Sequence, residues 1–145
     1  MSAGVFTLLL IHLALTAAMT GLIWFVQIVH YPLYREVPED AFAAYQQRHL
    51  RGAGPLIAPI MVFELLTLAL VLWKTPHPMF FASGVVLAGL WLSTFLIQVP
   101  LHRRLEARRD ETSIRRLVGT NWIRTLGWTL RTVLVNAGFW GILAA

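Results

Sequence analysis

Four apolar runs, each close to the roughly 20 residues a helix needs to cross a bilayer, leave this chain few folds. They fall at roughly 5–30, 55–73, 79–101 and 121–143 of its 145 residues. Backbone inside hydrocarbon must satisfy its own hydrogen bonds, so each run reads as a helix. With short connections the expected fold is all-α: a four-transmembrane-helix bundle forming one integral membrane domain. Composition agrees, since 57% hydrophobic and 13% charged residues leave too little charge to cover a soluble surface. The first run has no Lys or Arg before it and exceeds the apolar length of a signal peptide, so it reads as a mature helix.

Charge placement sets the expected orientation. Between runs one and two lie Arg35, Arg48 and Arg51; between three and four lie Arg103, Arg104, Arg108, Arg109, Arg115 and Arg116. The opposite side has only Lys74. This positive-inside bias predicts cytoplasmic basic loops and outward termini, in a bacterial inner membrane. The net charge of +5 does not point to nucleic acid, because the basic residues sit between membrane runs. With no cysteine, disulfides, thiolate metal sites and cysteine nucleophiles are excluded.

Local signals refine the plan. Pro32 predicts an end or kink of the first helix. Pro38, Glu39 and Asp40 suit the opening of another. There Phe42, Tyr45 and His49 share one face, which predicts a short amphipathic cytoplasmic helix stopped by Gly52 and Gly54. Pro100 should bend the end of the third span. The stretch "RRLEARRDETSIRR" reads as a solvated loop anchored to anionic headgroups.

The polar residues converge at one depth. Gln27 and His30 end span one, Gln98 and His102 end span three, His49 precedes span two, and Asn121, Trp122 and Arg124 open span four. His12, Thr16, Thr20, Gln27, His30 and Tyr34 form a narrow stripe on one helix; Asn121, Arg124, Trp128 and Arg131 form another. Lipid-facing stripes are apolar, so these should face the bundle interior. Neutral imidazole ligates transition metals, so His30, His49 and His102 are candidate ligands of a metal or haem. They equally suit hydrogen bonding to loops or headgroups. In the metal reading Gln27, Gln98 and Asn121 orient the histidines, Arg124 holds an anionic group, and Tyr34 and Trp122 flank an apolar body.

Glu64 and Arg131 each lie ten residues from the start of an outward-running span. At about 1.5 Å per residue both reach about 15 Å into the bilayer, near its centre. Opposite charges at that depth should pair, or Glu64 should be protonated. The pair is either a structural ion pair fixing register, or the polar floor of a cavity. Trp91 and Trp128 lie deeper than the other tryptophans, as pocket lining or as helix packing; His77 reads as a solvated turn residue. The two halves also echo each other in "QIVHYP" and "QVPLHRR".

Through "WFVQIVHYPLY", "FAAYQQRH", "STFLIQVPLHRRL" and "LVGTNWIRTLGWTLR" the chain resembles small bacterial four-helix integral membrane proteins. More loosely it is similar to the anthrone-oxygenase-like membrane family, in size, span count and polar helix ends. That resemblance implies oxidation of an apolar, quinone-like substrate, and no diagnostic motif transfers a catalytic residue. Three functions follow. One is a metal- or haem-dependent redox enzyme acting on a small apolar substrate at the cytoplasmic interface, with Glu64, Arg124 and Arg131 as candidate catalytic groups. Another is a non-enzymatic bundle that binds lipid or a small molecule, self-associates, or joins a membrane complex. The third is a small channel or transporter constricted at Glu64–Arg131.

Overall fold

The computed structural model describes residues 1–144 as an all-α bundle. Helix α1 spans Ala3–Phe25 and runs into a π-helical turn, Val26–His30, and a 3-10 turn, Pro32–Arg35. Helix α2 spans Glu39–Lys74 and α3 spans Pro78–Ser93. A second π turn, Thr94–Gln98, joins α3 to α4 (Val99–Ala107), and α5 covers Glu111–Ala144. Three stretches are long and apolar enough to cross a membrane: Ala3–Arg35, Glu39–Lys74 and Pro78–Ala107. The exterior suits them, with Val85 75% and Leu96 71% exposed, which water would penalise and lipid accepts. Helix α5, which contains four arginines, is not among the three.

The prolines produce wide turns where breaks were expected. Before Pro32, the Tyr31 amide reaches back five residues to the Val26 carbonyl at 2.9 Å. Before Pro100, the Val99 amide likewise reaches Thr94. A π turn adds one residue to the helix, so everything beyond it swings by about 100°. The turns sit at matching places in the two halves and contain Gln27 and Gln98, both buried.

Two sequence expectations are corrected. The separate amphipathic helix does not exist: α2 runs unbroken through Gly52, Gly54, Pro55 and Pro59. A helical glycine costs only about 1 kcal/mol, and both proline rings stand on the exposed surface of α2, where backbone distortion disturbs no packing. The basic "loop" is also mostly helix, reduced to a turn between α4 and α5.

At 36 and 34 residues, α2 and α5 are about 54 and 51 Å long, well beyond a hydrocarbon core of about 30 Å. Their overhangs pack together, which explains a second core. Tyr31, Tyr34, Phe42, Leu101, Leu105, Ile114 and Leu117 form it, below a larger cluster containing Met19, Leu68, Phe80, Leu87 and Trp128. Helix α5 packs against α1 and α3, and α2 lies mainly on α1. The boundary between α2 and α3 is the loosest of the bundle's helix boundaries and contains two cavities.

Candidate binding site between α2 and α3

One cavity of about 260 Å³ lies where the two cores meet. Its walls are apolar along most of their length: Met19 and Ile23 from α1, Ile57 and Met61 from α2, Trp91 and Phe95 from the third helical stretch. Its other end is polar, formed by Tyr31, His49, Gln98, His102 and Arg124. The second cavity continues along the α2–α3 boundary, and Trp91 lines both.

The polar end is assembled by the π turns and the overhang of α2. His30 and His49 stack with ring centroids 4.4 Å apart, and His49 and His102 stack at 5.4 Å. The three expected histidines therefore meet, drawn from three separate elements. They meet as a stack of faces. Both nitrogens of His102 are engaged, Nδ1 with Gln46 Nε2 at 3.0 Å and Nε2 with the Tyr31 hydroxyl at 3.2 Å. Among the described residues no group of three His, Asp or Glu side chains is arranged to hold a metal ion. The Gln46 amide donates, so Nδ1 accepts and the neutral ring places its proton on Nε2, toward Tyr31.

The expected supporting residues take other positions. Gln27 faces α5: its Oε1 accepts from Asn121 Nδ2 at 2.9 Å and its Nε2 donates to the Val118 carbonyl at 3.3 Å. Gln98 also donates to α5, to Thr120 Oγ1 at 3.0 Å. None of the three amides touches a histidine; Gln46 and Tyr31 do that work. Gln46 was legible in principle, three residues before His49 and four after Phe42 on one helical face. Tyr34 is fully buried beneath the stack, its ring edge-on to His30 at 5.4 Å, and does not line the cavity. Trp122 is 42% exposed and edges against Trp24 on the bundle's exterior, so it flanks nothing in the cavity.

Arg124 is the unusual wall residue. It is only 6% exposed and makes no ion pair within 4 Å among the described residues. One arm donates to Asn121 Oδ1 at 3.3 Å, while Nε is buried without a partner. Gln98 Oε1 is buried and unpartnered too. Holding a cation at membrane depth costs at least about 2.5–3.5 kcal/mol, and native structures leave few buried polar groups unmatched.

Glu64 and Arg131 pair as their depths predicted, both fully buried, in a separate network nearer the opposite face. Thr16 Oγ1 donates to Glu64 Oε1 at 2.8 Å and Arg131 Nε donates to Ser83 Oγ at 3.1 Å. Arg131 also lies over the Trp128 ring at 5.1 Å. Trp128 belongs to the core, whereas Trp91 lines the cavities. His77 caps α3, its Nδ1 accepting from the Met79 amide at 3.3 Å. Compared with protein-family models, curated proteins and solved structures, the chain matches none, so the chemistry of this cavity rests on its own residues.

Proposed function

We propose that the chain is a four-span membrane bundle, basic turns in the cytoplasm and termini outside, that binds a small membrane-soluble molecule between α2 and α3. One observation carries this reading: an apolar cavity within the bundle ends in buried polar atoms that the protein leaves unmatched. Its volume of about 260 Å³ sits near the lower end of ligand pockets, about 300–1,000 Å³. That suits one ring system or one short chain better than a two-chain lipid. Helix α5 counts as the fourth span because its inward stripe of Asn121, Arg124, Trp128 and Arg131 is buried by the other helices, so its charges need not meet lipid.

The redox-enzyme reading needs a cofactor, and the histidine stack offers proton-handling groups more readily than a ligand set. The channel reading is weaker still, since the Glu64–Arg131 level is sealed by fully buried side chains. The test is chemical. Protein extracted in mild detergent should release a co-purifying small molecule in near-stoichiometric amount. Ala58→Trp, which places an indole on the exposed cavity wall, should abolish it without unfolding the bundle. An empty wild-type extract, with Trp91 emission unmoved by any added apolar compound, would sink the proposal.

A further inference from the structure

The polar end of the cavity specifies what its occupant carries. We infer that Arg124 is a receptor for an oxyanion, a carboxylate or phosphate, on a single apolar chain or ring lying along Met61 and Trp91. This rests on the binding reading above and names its ligand class.

The inference starts from an unbalanced charge. Besides the Glu64–Arg131 pair, the ion pairs among the described residues are completed by Arg109 with Glu111. Arg124 is as deeply buried as a paired arginine and lacks such a partner. A guanidinium has five N–H donors in a fixed fork that matches two oxygens of a carboxylate or phosphate. Here one arm reaches only a neutral amide oxygen, and Nε donates to nothing.

The neighbours favour an anion as well. Tyr31 and the Nε2–H of His102 add hydrogen-bonding capacity beside the fork, and no carboxylate lines the cavity. A neutral oxygen would leave the buried charge uncompensated. A cation would meet Arg124 and imidazoles with no negative group. Behind the fork the walls turn apolar, and a 260 Å³ space accepts one hydrocarbon body.

The probes are dodecanoate, its methyl ester and dodecyl phosphate, each titrated at about pH 8, where carboxyl and first phosphate protons are lost. The protein is held in zwitterionic-lipid nanodiscs, and Trp91→Phe identifies the cavity contribution to tryptophan emission. The acid should bind about tenfold or more tighter than the ester, and Arg124→Gln should erase that difference while the ester still binds. Arg124→Lys, which keeps the charge and loses the fork, should retain part of the preference and covers the case where Arg124→Gln does not fold. Preference for the phosphate over the acid would support the oxyanion and assign its source to a lipid-type headgroup; the reverse assigns a free carboxylate. Equal binding of acid and ester would overturn the inference and leave the cavity reading standing. Binding of none of the three would overturn both.

Discussion

Gln46 on α2 donates from Nε2 to His102 Nδ1 on α4 across 3.0 Å, and Gln46 is fully buried. This bond joins the overhang of α2 to the end of the third helical stretch and fixes which ring nitrogen bears the proton. Gln46→Leu should release the ring: nitrogen NMR should show His102 as a single Nε2–H tautomer in the parent and as a mixture in the variant. Loss of this buried donor should also cost about 1–3 kcal/mol, read from unfolding in mixed micelles.

Glu64 and Arg131 should behave as a unit. Removing one partner from a buried pair strands the other charge, so Glu64→Leu or Arg131→Met alone should destabilise by about 3–5 kcal/mol. The double variant should recover most of that loss. A double-mutant cycle in which the losses simply add would show that the two residues are not coupled.

Close helix contact predicts opposite outcomes for two glycines. A Cβ at Gly138 would meet the Phe80 ring at 3.0 Å, and Phe80 is fully buried. Gly138→Ala should therefore cost about 1–3 kcal/mol by overpacking. At Gly119 nothing lies within 4 Å and the backbone is helical, so Gly119→Ala should stabilise by about 0.4–1 kcal/mol. Thermal unfolding of the two variants should shift in opposite directions.

The start of α5 should respond to acid. Asp110 accepts from the Ser113 amide at 2.9 Å, and hydrogen bonds from Ser113 hold its carboxyl below the ordinary 3.8. A depressed carboxyl stabilises the folded state above its unfolded value. That contribution fades as pH falls below about 3.8 and through the lower folded value. Amide exchange at Ser113 and Ile114 should accelerate over that interval. In Asp110→Asn, whose amide oxygen still caps without titrating, exchange should show no such step.

Much of the architecture is legible in the residues, because a bilayer imposes one length and one hydrogen-bonding rule on every segment. The helical content, three of the spans, the inward stripes on α1 and α5 and the pairing of Glu64 with Arg131 all follow from counting residues along helices. The meeting of His30, His49 and His102 was legible in the same way, as a common depth. Depth does not set rotation. Two π turns each add a residue, and by swinging the chain they send Gln27 and Gln98 to α5 while Gln46 and Tyr31 take the histidine. Helix continuation through Gly52, Gly54 and the two prolines was likewise decided by packing of the overhangs, which outweighs local propensity. The cavity depends on how loosely α2 meets α3. That is a property of two surfaces brought together, and only the tertiary structure decides it.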